Sequence, residues 1–248
     1  MARRIKITLS YDGTGFHGWQ VQPGLDTIQG AVEAVISEIE EKRVDVAGSG
    51  RTDAGVHALG QVAAFTIDNP IPIYNLRKAM NRLLPAAVRI IEVEEVAAEF
   101  HPRFNARAKT YEYRIWRGEV CPPFERLYMR HFPYPMDVER FMRASQVFVG
   151  EHDFTAFAAS DEKDALGGSK VRTIFDSRAW IDSNRLIYRV RGGGFLKHMV
   201  RNLVGTMIEA GKGNLDAERI RALLDPGVGI KAGPTAPARG LFLVSVEY

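Results

Sequence analysis

The same order of secondary-structure elements, strand–helix–strand–strand–helix–strand, is predicted twice along this chain, and this repetition limits the folds open to it. Alternating apolar and polar residues over 5–12 predict a half-buried strand, and apolar residues at helical spacing after Asp26 predict a helix. Strands over 44–47, 61–67 and 88–96 and a helix over 75–84, with Leu83 facing the core, complete the first set. The second set has predicted strands over 109–116, 173–181, 185–191 and 240–248, and helices after Asp137, over 196–210 and after Asp216.

Each set matches the β-α-β-β-α-β order of a ferredoxin-like unit. We therefore predict an α+β fold of two ferredoxin-like units joined through a mainly antiparallel sheet, with an N-terminal subdomain over 1–105 and a C-terminal subdomain over 106–248. Pairing the two sheets edge to edge would hide two exposed edges. The groove across that junction is the expected binding site.

Composition excludes several classes of protein. The single cysteine, Cys121, rules out a disulfide framework or a cysteine-rich zinc site and fits a reducing compartment. No apolar run is long enough to cross a bilayer, and residues 1–6 lead into an alternating pattern and not into a signal-peptide core. We therefore expect a cytoplasmic protein without a membrane partner.

The formal net charge is +3, and several arginines stand next to aromatic residues. Arginine pairs with phosphate and aromatic rings stack on bases, so RNA binding is one interpretation. Ordinary strand edges with one polar and one buried face are the alternative. Basic helix residues such as Arg77, Lys78 and Arg82 more often form a solvated face than an RNA contact, but here we favour RNA contact.

Residues 50–59 form the most specific motif of the chain, with one carboxylate, Asp53, and a cation, Arg51, on a predicted turn before a strand. Such a carboxylate can attack or hold a substrate, although Asp before Ala-Gly is also ordinary turn chemistry. His57 has no second ligand at metal spacing, so we interpret it as structural and expect no metal site. The glycines at 192–194 lack a Walker ending, so a nucleotide cofactor is not expected.

Four blocks, at residues 11–20, 50–58, 109–113 and 195–202, resemble the signature blocks of the TruA family of transfer-RNA pseudouridine synthases. The resemblance implies the pseudouridine synthase fold, conversion of uridine to pseudouridine at positions thirty-eight to forty of the tRNA anticodon arm, no cofactor or metal, and a homodimer. Residues 155–171 lie outside the resembling blocks.

The resemblance also implies roles for individual residues. Asp53 is the expected nucleophile, attacking C6 of the base or C1′ of the sugar, and Tyr111 would pack on the extruded uracil. Arg201 is the expected ion-pair partner of Asp53, because a nearby cation keeps a desolvated carboxylate charged. We assign Arg51 to stacking or phosphate contact where the target base has left. Tyr111 shares a strand face with Tyr113, so ordinary core aromatics remain an alternative.

Two other functional classes stay open at this point. Ferredoxin-like sheets often bind single-stranded RNA through aromatic residues without catalysis. A hydrolase could use Asp53 and His57, but it would need a third orienting group or a metal, and the sequence offers no obvious one.

Overall fold

The structure is a computed structural model that describes residues 2–159, 168–225 and 232–248. The strands in chain order are β1 (Arg3–Tyr11), β2 (Ala47–Gly48), β3 (His57–Ile67), β4 (Val88–Val96), β5 (Ala108–Trp116), β6 (Arg130–His131), β7 (Gly150–Asp153), β8 (Val171–Asp182), β9 (Arg185–Gly192) and β10 (Leu241–Glu247). The helices are α1 (Ile28–Glu40), α2 (Ile73–Leu83), α3 (Val138–Gln146), α4 (Met199–Gly211) and α5 (Ala217–Ala222).

The chain forms two compact units, Met1–Arg107 with Phe242–Tyr248 and Ala108–Leu241. Both combine helices with mainly antiparallel strands, which confirms the predicted α+β class. The division into folding domains at residue 105 stays a prediction. None of the helices in the described part combines the length and apolar composition needed to cross a bilayer.

In the first unit the strand order is β4-β1-β3, all antiparallel, and β2 pairs antiparallel with β3. This is the strand order of a ferredoxin-like unit. Strand β10 also pairs with β3, in parallel, where Phe242 lies opposite His57. The core of this unit consists of apolar residues from β1, β3 and α1, such as Ile7, Phe65 and Ile36, which are fully buried.

Three details of the first unit differ from prediction. Strand β3 begins at His57, so the last three residues of the 50–59 motif are strand, whereas the predicted strand began at residue 61. Strand β2 is a two-residue pairing over Ala47–Gly48, at the end of the predicted 44–47 strand. Leu83 is exposed and Leu84 is buried in its place, because α2 ends at Leu83 and the chain turns inward at the next residue.

The second unit has the antiparallel order β5-β9-β8-β7, with β6 pairing parallel to β5. Strands β8 and β9 are joined at the predicted turn, where Ser183 has φ +57°. Helix α4 is buried around most of its surface, and all of its residues except Arg201 and Glu209 are buried. Strands β6 and β7 were not predicted, since each is too short to show a period. Of residues 155–171, those at 160–167 lie outside the described part.

Helix α1 is capped one residue later than its sequence suggests. The Thr27 side chain accepts a hydrogen bond from the Gly30 amide at 3.3 Å, and the helix begins at Ile28 and not directly after Asp26. The Gln29 side chain, three residues after Asp26, donates from its amide nitrogen to Glu33 and to the Val46 carbonyl.

Replacing Thr27 by Val is expected to lower the free energy of unfolding by about 1 kcal/mol, because the buried side chain keeps its volume but loses its acceptor. The melting temperature should fall by roughly 2–4 °C in thermal unfolding. Asp26→Ala is the control and should leave it unchanged. A larger loss of stability for Asp26→Ala than for Thr27→Val would mean that Asp26, and not Thr27, caps α1.

Candidate active site

Asp53 lies at the first position of a tight turn that leads into β3. The Val56 amide donates to the Asp53 carbonyl at 3.1 Å, and Gly55, at the third position, has φ +76°. A left-handed residue at this position favours glycine, which explains Gly55 in the motif. The Asp53 side chain is part-exposed, whereas Arg51, two residues earlier, is exposed.

The connection between β1 and α1 packs directly against this turn. The Trp19 amide donates to the Thr52 carbonyl at 3.0 Å, and the Tyr11 hydroxyl lies 2.8 Å from the Thr52 hydroxyl. Burial raises the pKa of Tyr11 well above its usual range, although the bond to Thr52 opposes the shift. The Tyr11 hydroxyl therefore stays protonated at physiological pH and can donate in this contact.

Two glycines of the β1–α1 connection allow this close approach. A Cβ on Gly13 would lie 2.0 Å from the Val56 carbonyl oxygen, and one on Gly18 would lie 2.6 Å from the Thr52 carbonyl oxygen. Gly18 also has φ +90°. The resembling blocks at 11–20 and 50–58 are thus in contact, and the first encloses the backbone of the second.

The buried Gln61 side chain holds the other flank of the turn. Its amide nitrogen donates to the Gly50 carbonyl at 3.0 Å, and its amide oxygen accepts from the Ser49 hydroxyl at 2.6 Å. The side chain is fully buried in β3. The residues just before Arg51 are therefore fixed to the strand that follows Asp53.

His57 is buried beside the same turn. Its Nδ1 accepts from the Gly13 amide at 3.1 Å, and its ring stacks on Phe242 with centroids 4.8 Å apart. The same Nδ1 also lies 3.2 Å from a carboxylate oxygen of Asp12. These contacts support the interpretation of His57 as a structural residue.

Two of the other candidate residues lie in the second unit. Tyr111, on β5, is 8% exposed, and the edge of its ring contacts Phe195 with centroids 5.0 Å apart. Tyr113 is fully buried and donates from its hydroxyl to the Pro237 carbonyl at 2.8 Å. Of the two tyrosines on this strand face, Tyr113 is therefore the ordinary core aromatic, and Tyr111 keeps a small accessible surface.

Arg201, on α4, is half-buried and exchanges hydrogen bonds with Ala236. Its Nε donates to the Ala236 carbonyl at 2.7 Å, and the Ala236 amide donates back to the Arg201 carbonyl. Burial raises the pKa of Tyr113, and Arg130, Arg201 and Arg239 oppose that shift. The surroundings of Tyr113 are thus electropositive.

Of the predicted site residues, Asp53 and Arg51 share one loop of the first unit, whereas Tyr111 and Arg201 belong to β5 and α4 of the second. The ion pair of Asp53 with Arg201 stays a prediction. The sequence reasoning missed the supporting residues Tyr11, Thr52 and Gln61. A glutamine at the head of an otherwise apolar strand was the one available signal for this support.

No group of three or more metal-binding side chains occurs in the described ranges. Gly192, which begins the glycine run, lacks a side chain for a packing reason, because a Cβ there would lie 2.8 Å from the Thr173 carbonyl oxygen and 2.9 Å from Ile174.

The chain thus combines an α+β fold with a part-exposed carboxylate on a turn that is held by its neighbours. A family model described as tRNA pseudouridine synthase matches residues 7–105 and 144–248. The chain belongs to the tRNA pseudouridine synthase family, and it is an isomerase that converts uridine to pseudouridine in tRNA. This decides against the non-catalytic RNA-binding module and the Asp53–His57 hydrolase.

Curated relatives match over nearly their whole length. The tRNA pseudouridine synthase A of Solibacter usitatus is 63% identical over 99% of this chain and 100% of its own. That of Lacticaseibacillus casei is 45% identical, covering 98% of both chains. Among solved structures, an archaeal box H/ACA sRNP Nop10–Cbf5 complex gives a TM-score of 0.35 at 12% identity, over 82% of this chain and 44% of that chain. This structural similarity is too low to support a conclusion.

Proposed function

We propose that Asp53 is the nucleophile of the isomerisation. The observation that carries this proposal is the clamped, part-exposed Asp53 turn, which is held by Thr52, by Val56 and by the β1–α1 connection. A nucleophile must be fixed within a fraction of an ångström of its target, and a turn with bonded neighbours on both sides supplies that rigidity.

The chemistry needs one nucleophile and no added reactant. Uridine and pseudouridine have the same atoms: the N1–C1′ bond breaks, the uracil turns, the C5–C1′ bond forms, C5 loses a proton and N1 gains one. An ionised carboxylate can attack C6 of the base or C1′ of the sugar and leave again after the new bond forms. The reaction balances without an oxidant, a reductant or a metal.

The target uridine must leave the stack to reach Asp53, at a cost of a few kcal/mol. We assign Arg51 to the vacated place or its phosphates, since this side chain is exposed beside Asp53 and its planar cation can stack. We assign Tyr111 to the face of the extruded uracil and Arg201 to the charge of Asp53. The resemblance of the blocks at 109–113 and 195–202 supports these two roles.

The resemblance also supports uridines thirty-eight to forty of the anticodon arm as targets, a homodimer as the working assembly, the absence of a cofactor, and a cytoplasmic location. Light scattering on the purified chain would test the homodimer directly. A single monomeric species at micromolar concentration would contradict it.

The proposed function is tested with unmodified tRNA carrying tritium at C5 of uridine. We expect tritium release, because C5 chemistry displaces that atom, and pseudouridine confined to the anticodon arm when the product is mapped. Release without anticodon-arm pseudouridine would overturn the positional assignment, and no release would overturn the proposal.

Replacing Tyr111 by Leu is expected to weaken tRNA binding by about 1–3 kcal/mol, because an aromatic face stacked on a base contributes this much. Tyr111→Phe keeps the ring and should bind as the unaltered protein does. Tyr134→Leu is the control, since Tyr134 is a tyrosine of the same unit that is 65% exposed.

The turnover of Tyr111→Phe separates two roles of the residue. Full turnover would restrict Tyr111 to stacking, and lost turnover with intact binding would assign its hydroxyl to removal of the C5 proton. Unchanged tRNA binding by Tyr111→Leu would contradict the proposal that Tyr111 packs on the uracil.

A further inference from the structure

Helix α2 presents three cations on one surface of the first unit: Arg77, Lys78 and Arg82. We call these three residues the α2 patch. Together with Asn81, Ile90 and Ile91 they line a shallow concave surface between the helix and β4. Lys78 and Arg82 are exposed, and Arg77 is half-exposed.

The α2 patch keeps its charge without local neutralisation. Within the described ranges, none of its three cations forms an ion pair with a carboxylate. The guanidinium of Arg77 donates to the Ile91 carbonyl at 3.2 Å, and the Lys78 ammonium lies 4.3 Å from the centroid of the Tyr74 ring. Neither contact cancels a positive charge.

Some exposed cations elsewhere in the described ranges are paired with acids. Lys42 pairs with Asp68, and on α3 Arg140 pairs with Asp137 and Arg143 with Glu139. The α2 patch differs from these because its three cations lie together on one concave surface, where they form a local positive potential that attracts an anion.

Strand registers place the α2 patch at the same end of the sheet as the Asp53 turn. Tyr11, the last residue of β1, lies opposite both Val88 of β4 and Ala58 of β3. The Asp12 amide also donates to the Ala87 carbonyl at 2.9 Å.

The side chain of Asn81 fixes α2 to this end of β4. Its amide nitrogen donates to the Ile90 carbonyl at 2.9 Å, and its amide oxygen accepts from the Ile90 amide at 2.8 Å. At this end of the sheet, β4, which contacts α2, and β3, which follows the Asp53 turn, are separated by β1, a spacing of about 10 Å between the two strands.

We propose that the α2 patch binds the phosphate backbone of the tRNA strand next to the reacting uridine. This inference rests on the proposed function, because it takes the RNA at the Asp53 turn as the substrate strand. The spacing of about 10 Å between β4 and β3 corresponds to a few nucleotides of RNA backbone. Arginine contacts phosphate through two parallel N–H donors and lysine through a point charge, and the patch offers both.

Such contacts position the RNA without reading its bases. The α2 patch would hold the strand in register while leaving the choice of uridine to the site itself. An acidic protein is the competing occupant, and it is separated from RNA by the experiment.

The test compares the full-length triple variant Arg77→Gln, Lys78→Gln, Arg82→Gln with a control that removes three cations elsewhere, Arg43→Gln, Arg140→Gln, Arg143→Gln. Binding of unmodified tRNA is measured over a series of salt concentrations, and turnover is measured at saturating tRNA. The patch variant should bind tRNA about tenfold to a hundredfold more weakly at about 0.1 M salt, and the slope of log K against log salt should fall in magnitude by about 2–3. Its kcat should change less than about twofold, because backbone contacts position and do not react.

A second variant guards against a local structural defect. The double variant Lys78→Gln, Arg82→Gln keeps the bond from Arg77 to Ile91. Its slope of log K against log salt should fall by about two thirds of the change expected for the triple variant. Equal binding and equal slopes for the patch and control variants would overturn the proposal and make the patch a solvated face. Equally tight binding of poly-glutamate to the unaltered protein, lost in the patch variant, would assign the surface to an acidic protein and overturn it as well.

These outcomes are independent of the proposed reaction. If the unaltered protein binds tRNA but releases no tritium, the proposed function is overturned, and the comparison of tRNA binding between the variants stays valid. If the unaltered protein releases tritium and the patch variant binds tRNA as tightly as the unaltered protein, only the proposal about the α2 patch is overturned.

Discussion

Asp53→Asn is expected to abolish tritium release from C5-labelled tRNA, with a loss of turnover of about a thousand-fold or more. The substitution keeps the size of the side chain but removes the charge that makes it a nucleophile. Asn also preserves the turn, since the bond that closes it joins the Asp53 carbonyl to the Val56 amide and uses only backbone atoms. Tritium release is measured under single-turnover conditions, so that slow product release cannot hide the chemical step.

The tRNA affinity of Asp53→Asn should stay within about tenfold, or roughly 1.4 kcal/mol, of the unaltered protein. Asp45→Asn is the matched control, because Asp45 belongs to the same unit and its side chain is 81% exposed. We expect full turnover for that variant. Turnover by Asp53→Asn at a rate comparable with the control would mean that another group is the nucleophile.

Gly13→Ala is expected to reduce kcat/KM by about a hundredfold, although Gly13 has no side chain and no role in the chemistry. Its added Cβ would lie 2.0 Å from the Val56 carbonyl oxygen, so the turn or the β1–α1 connection must move. A displacement of about 1 Å in a catalytic group can cost this much. The overpacking should also lower the melting temperature by roughly 3–10 °C.

Gly15→Ala is the control for this steric argument. It makes the same substitution two residues along in the same connection, and a Cβ there would meet nothing within 4 Å. We expect its turnover and melting temperature to match those of the unaltered protein. If both variants behaved alike, or if Gly13→Ala kept full kcat/KM, the contact between the two blocks would not position Asp53.

Much of the fold was predictable because its signals are local. The strands at β1, β4, β5 and β9 follow alternating or apolar runs, and the helix cap at Asp137 is present as expected. The start of β3 at His57 was not predictable in this way, because the first residues of β3 become strand through their pairing with β1 and β10. Such pairing depends on residues distant in the chain.

The residues of the site were likewise predictable only where their signal is local. The residues expected to contact the substrate could be proposed from the sequence, because an arginine and a carboxylate on one turn form a specific pattern. The support for that turn could not, because Gln61, Tyr11 and Gly18 acquire their roles only through contact with residues 49–52, Tyr11 through the Thr52 hydroxyl and the other two through backbone carbonyls. No periodicity or spacing relates these positions to one another.

The α2 patch shows why position matters as much as composition. Arg77, Lys78 and Arg82 were visible as basic residues on a helix, where we favoured RNA contact over a solvated face. The register of Tyr11 against Val88 and Ala58 brings them to the end of the sheet that carries the Asp53 turn. Their lack of acidic partners within the described ranges is likewise a property of the folded chain.

The sequence by itself determined the order of the strands and helices, the α+β class and the chemically special turn at Asp53, since each of these depends on neighbouring residues and their side-chain types. Only the tertiary structure decided which glycines are sterically required, which polar groups hold the turn and where the unpaired cations lie. The physical reason is that these features arise from close contact between segments far apart in the chain, and local propensity carries no information about such contacts.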